Sequence, residues 1–134
     1  MTDVPTPIAG MDAEALGSAL RELLDRLELG YAVKEAGSLK YLQVNQRLAG
    51  WLGSTPEAML GSVDAQWLEA SQWPALRTAE NAALAMAKGA LTEHKLELAG
   101  ARREFGVARI ALRGTDGAPA ALMSLWSERT AQRQ

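Results

Sequence analysis

Three stretches in the last third of the chain, residues 91–98, 103–112 and 119–127, alternate with a period of two, and the last two are apolar at both parities. Phe105, Val107 and Ala111 oppose Ala108, Ile110 and Leu112, while Ala121, Met123 and Leu125 oppose Ala120, Leu122 and Trp126. Successive side chains of a strand face opposite sides, so a sheet built from these strands is apolar on both faces and needs a covering layer on each. Gly100 and the run Gly114-Thr115-Asp116-Gly117 supply turns short enough to make the three strands antiparallel neighbours. In the first of them His94, Leu96 and Leu98 point one way and Glu93, Lys95 and Glu97 the other. The rest of the chain must therefore provide cover.

Two segments are candidates. Asp12 is placed to cap a helix running to Glu28, on which Leu16, Leu20, Leu23, Leu24 and Leu27 form one apolar stripe. Such a stripe covers a sheet face of its own domain or a copy of itself in a second chain. The second candidate is a helix capped by Ser71 and ended by Lys88 and Gly89, with Pro74 in its first turn and Trp73, Leu76, Ala83, Leu84 and Ala87 on one face. Between the two, Tyr31 and Val33 alternate with Ala32 and Lys34. A turn at residues 35–38 then leads to Leu39–Val44, a hairpin partner. Asn45 ends that strand and opens a short helix through Leu48, Trp51 and Leu52, closed by Gly53. Thr55-Pro56-Glu57 is an N-cap, a first-position proline and an acid near the positive helix end, and Gly61 closes that helix. Residues 63–70, with Trp67 and Leu68, read as irregular or as a helical turn.

Composition narrows the chemistry. At 134 residues, 48% apolar and 22% charged, one domain is expected, and it needs neither metal nor disulfide to hold its core. With no cysteine there is no thiolate nucleophile, iron–sulfur cluster or cysteinyl-flavin photochemistry, and one histidine leaves little for a metal site or a serine triad. Fourteen basic and sixteen acidic residues, unclustered, give no footprint for nucleic acid. No apolar run approaches the ~20 residues of a spanning helix and the start lacks a leader pattern, so a cytoplasmic protein without membrane insertion is expected.

Leu39-Lys40-Tyr41-Leu42-Gln43-Val44-Asn45, leading through Leu48-Ala49-Gly50-Trp51-Leu52-Gly53 to Thr55-Pro56-Glu57-Ala58-Met59-Leu60-Gly61, resembles the PAS domain signature in its "LRYLxVN…LAxxxG…PEExLG" variant. Asp116-Gly117 resembles the turn before the last PAS strand. Ser127-Glu128-Arg129-Thr130 stands where the family closes with "DIT(E/D)", here without the aspartate. The resemblance implies an α+β fold, a five-stranded antiparallel sheet with helices inserted between strands 2 and 3, plus the N-terminal amphipathic helix. It divides the chain into a flexible lead (1–10), that helix (11–28), the PAS core (29–127) and a tail (128–134) towards an output domain. It further implies a non-enzymatic sensor that binds a small ligand, dimerises, or does both, and regulates an attached histidine kinase or diguanylate cyclase in two-component or cyclic di-GMP signalling. The alternative is a ligand-free dimerisation and protein-interaction domain.

A PAS pocket lies between the inner sheet face and the central helices, which makes Trp51, Met59, Trp67, Trp73, Leu76, Leu84, His94, Leu96 and Phe105 its candidate lining and a small apolar ligand its candidate occupant. The same large residues equally serve as core, with four tryptophans filling the space themselves. Asn45, Gly53 and Gly61 belong to the structural motif, and Leu16, Leu20, Leu23, Leu24 and Leu27 to a homodimer interface. No cofactor is demanded. Family haem sites take their histidine from the long helix, which here has none, and a flavin would rest on Trp67 or Trp73 with Asn45 or Gln43 at its edge. An isomerase-like reading would need His94 paired with Glu104 or Asp64.

Overall fold

The computed structural model describes residues 12–129. The expected lead (1–10) and the end of the tail (130–134) lie outside the described residues.

The N-terminal helix α1 spans Ala13–Arg26, with the Asp12 carboxylate accepting from the Ala15 amide at 2.8 Å. It leads into β1 (Gly30–Glu35) and β2 (Tyr41–Val44), then α2 (Gln46–Trp51), α3 (Pro56–Met59), a 3-10 turn at Asp64–Gln66, and α4 (Trp73–Leu84). β3 (Ala90–Leu98), β4 (Ala101–Arg113) and β5 (Pro119–Glu128) complete an antiparallel sheet in the order β2-β1-β5-β4-β3. This is the expected α+β, five-stranded arrangement with helices between strands 2 and 3.

Pairing of Val107 with Trp126, and of Ala32 with Ser124, fixes which residues share the inner face. There Ala32, Phe105, Val107, Leu122 and Trp126 are buried, with Leu48, Met59 and Leu76 from the helices packed into the same interior. Gly30 lets α2 approach: a Cβ on it would stand 2.9 Å from the Trp51 ring and 3.2 Å from the Trp126 Cβ. Only a residue without a side chain fits that crossing.

The other two helix caps expected in the first half are present as well. Asn45 Oδ1 accepts from Leu48 N at 3.1 Å and Thr55 Oγ1 from Ala58 N at 3.2 Å. Gly53 and Gly61 take the left-handed conformations, φ +77° and +80°, that end α2 and α3.

Three local expectations are corrected. The second strand starts at Tyr41, not Leu39, because Leu39 turns the chain at φ +60°. Ser71 does not cap α4: Gln72 is the boundary residue, and its side chain makes no cap bond because its amide is spent on the Glu97 backbone. The helix ends at Leu84 rather than Lys88, since the chain must already reverse into β3, and Arg113 holds the Met86 carbonyl at 2.9 Å.

The outer face is covered less than its apolar character led us to expect. Leu91, Ile110 and Leu112 stay exposed there, and Leu16, Leu20 and Leu23 on α1, with Leu27 just past its end, are 50–68% exposed, while Leu24 is half-buried. No helix among the described residues is long and apolar enough to cross a membrane.

Candidate functional site: a buried charge network beside a small cavity

The register that turns Ala32 inward turns Lys34 inward too, two residues on. Its ammonium lies 2.5 Å from Asp64 Oδ2 and 2.6 Å from Glu80 Oε2, and 4.6 Å from the centre of the Tyr41 ring. The Tyr41 hydroxyl donates to the other Asp64 oxygen at 2.5 Å. Lys34 and Glu80 are only 4% and 3% exposed. Taking such charges out of water costs several kcal/mol per ion, which only close pairing offsets. Burial, reinforced by Asp64, holds the Tyr41 phenol well above its usual pKa, so it stays a donor. Burial also raises Glu80, against the pull of Lys34.

Arg109 extends the network along β4. It is 2% exposed; its Nη1 donates to Thr92 Oγ1 at 2.6 Å and its Nη2 lies 3.3 Å from His94 Nε2. The Thr92 hydroxyl lies 2.8 Å from the same nitrogen. A guanidinium only donates, so Nε2 is the acceptor and Nδ1 carries the ring proton. Burial first, and then Arg109, push the His94 pKa down to about 4 from 6.5. The unfolded chain thus binds a proton that the folded chain refuses. His94 therefore contributes stability that is full above about pH 6.5 and is lost as pH falls through about 4. Glu80, raised by burial, acts in the opposite sense. Urea unfolding of His94→Gln at pH 7 and pH 4.5 is accordingly expected to show a smaller loss on acidification than the parent chain; an equal loss would dismiss this role.

Beside the network lies a cavity of about 240 Å³ whose wall includes Ser38, Leu39, Asp64, Trp73, Arg77 and Glu80. Of the nine residues expected to line a pocket, Trp73 is in this wall. Met59, Leu76, Leu96 and Phe105 are core residues, and Trp51 and Trp67 pack against that core, the Trp67 indole donating to Ser62 Oγ at 2.7 Å. Leu84 is half-buried on α4, and His94 with Leu96 borders a separate hollow next to Gln72.

Asn45 and Gln43 serve the backbone and Tyr31 instead of reaching a ligand: Asn45 Oδ1 also accepts from Tyr31 N, and Gln43 accepts from the Tyr31 hydroxyl at 2.9 Å. The pairing of His94 with an acid is not formed either. Asp64 belongs to Lys34 and Tyr41, and Glu104 stands opposite Lys95 on the other sheet face. A haem or flavin does not fit these residues. Asn45 and Gln43 are spent on the backbone and on Tyr31, and His94 Nε2 already accepts from a guanidinium.

Lys34, Glu80 and Arg109 escaped the sequence reading because charged residues are rarely buried. A signal was nonetheless present. Glu80 falls at the helical spacing of Leu76 and Ala83, and Arg109 two residues past Val107 on the same strand face.

The match of residues 24–134 to the PAS fold family model places the chain in that family: it belongs to the PAS domains, which are sensory modules. No curated protein sequence matches it. Among solved structures it is similar to the PAS domain of a Colwellia psychrerythraea protein (TM-score 0.70, 9% identity, 87% of this chain and 98% of that one). It also resembles a Vibrio cholerae sensory box sensor histidine kinase structure (0.65, 17%, 90% and 98%). A third likeness is the phage VqmA–DPO complex (0.69, 16%, 89% and 55%), so the chain spans about half the length of that protein.

Proposed function

We propose that this PAS domain is a ligand-responsive, dimerising input module that regulates an attached output domain of the histidine kinase or diguanylate cyclase type. The observation that carries the reading is the leucine stripe of α1, at least half exposed at three positions on the helix and at Leu27 just after it, and joined directly to β1 through residues 27–29. In water such a stripe is stabilised by covering it, and a second copy offers the same stripe. β1 also carries Lys34, so the helix that would meet a partner and the network beside the cavity share one strand. Occupancy of the cavity would shift the population of α1 packings and, through the segment after Glu128, bias the output.

The likeness to a sensor histidine kinase structure supports that assignment, as does a cavity with a charged wall in place of apolar fill. A ligand-free interaction domain is the second reading, favoured by Phe105 with Trp51 and Trp126 at ring-centre distances of 5.0 and 5.4 Å, which fill much of the interior. Sedimentation of the purified chain is expected to give a dimer, and Leu20→Glu/Leu24→Glu is expected to weaken it at least about ten-fold, since each leucine contributes ~1.5–3 kcal/mol when covered. A monomer at every concentration would overturn the interface.

A further inference from the structure

Gly106 stands on the outer face of β4 and is nonetheless buried, because a side chain from the end of the chain's last strand covers it. The register sets Glu93 of β3, Gly106 of β4 and Ser127 of β5 in one row across that face. Two residues past this row, Arg129 reaches back over it: a Cβ built on Gly106 would stand 2.7 Å from the Arg129 Cζ and 2.8 Å from its Nε. On the far side of the glycine, Arg129 Nη1 donates to Glu93 Oε2 at 2.6 Å. The Arg129 backbone N–H donates to the Glu104 carbonyl at 2.7 Å, just beyond the end of β5. On the opposite face Glu128 pairs with Arg103 at 3.3 Å.

A glycine inside a strand weakens it relative to alanine, and here the close approach of the guanidinium accounts for it. Both ends of the Arg129–Glu93 pair are exposed, so the contact is weak and opens readily. Glu93 is also flanked by Thr92 and His94, which hold Arg109 on the inner face. A displacement of β3 inside the domain therefore reaches the hook on the outside. Resting on the reading that an output domain follows β5, we propose that Arg129 is a releasable strap. Seated on Gly106 and hooked to Glu93, it fixes the direction in which the chain leaves the sheet, and it lets go when β3 shifts against β5.

Amide hydrogen exchange of the full chain, followed by NMR, reads the strap at the Arg129 N–H. Glu93→Gln is expected to speed exchange there about two- to five-fold, the range an exposed ion pair supports, and to leave Met123, paired on both sides within β5, unchanged. Gly106→Ala alters no charge and is expected to act in the same direction by filling the seat. A glycine serving only the strand predicts the reverse, since alanine tightens a strand. In an Arg129→Gln background neither substitution is expected to add anything, because both act through the one side chain. Unchanged or slower exchange at Arg129 in either single variant, or effects that persist without Arg129, would overturn the strap. The output-domain reading would stand, since nothing in the measurement involves that domain. Glu93 is exposed, so its variant decides the matter even if Gly106→Ala does not fold.

Discussion

Replacing Lys34 with methionine is expected to destabilise the fold by about 3–5 kcal/mol, the usual cost of removing one partner from a buried ion pair. Methionine keeps an unbranched apolar stem and lacks the ammonium, so the loss is chiefly one of charge. Asp64 and Glu80 would then face each other inside a wall where Lys34 now stands 2.5 and 2.6 Å from them. The check is urea unfolding of Lys34→Met beside Lys34→Met/Asp64→Asn/Glu80→Gln. Removing the orphaned charges should restore a large part of the loss. If the triple variant is no more stable than the single one, the network does not set stability in the way its geometry demands.

Phe105→Ala is the second large effect, expected at about 3–5 kcal/mol for deleting a buried aromatic ring. Phe105 is 1% exposed and stands between Trp51 and Trp126, on the inner face of β4 where α2 crosses the sheet. Two further rings lose their partner with it, at geometries that add to simple burial. Thermal unfolding together with near-ultraviolet circular dichroism should register both the lower midpoint and a changed tryptophan signal. A loss below about 1 kcal/mol, within the range of tolerated core swaps, would show that the cluster collapses around the gap.

How far these features were legible depended on which physical signal announced them. The motif from Tyr41 to Gly61 was readable because each of its turns has a local cause: an asparagine cap, a threonine cap followed by proline, and two glycines at positive φ. The strand faces of β3 to β5 were readable from alternation alone. The cavity was not. It was sought among large apolar side chains, yet Met59, Leu76 and Phe105 pack into the core and charged groups stand beside the open volume. The pairing of Lys34 with Asp64 spans 30 residues and that with Glu80 spans 46, and no local pattern reports a contact at that range. The ends of α4 were misplaced for a related reason. Gln72 and Arg113 bond to backbone far along the chain and so override the local cap residues.

Each border of the sheet is plugged by the chain itself at one residue. On β2, Tyr41 exchanges backbone bonds with Gly61 and Ser62, 2.8 and 2.9 Å long. On β3, the Gln72 amide donates to the Glu97 carbonyl and accepts from its N–H, standing in for a sixth strand at that residue. An unguarded border beside such apolar strands would template fibrous stacking of one molecule on the next. With these two plugs in place, an incoming strand would have to break bonds the chain already makes before it could extend the sheet at either end.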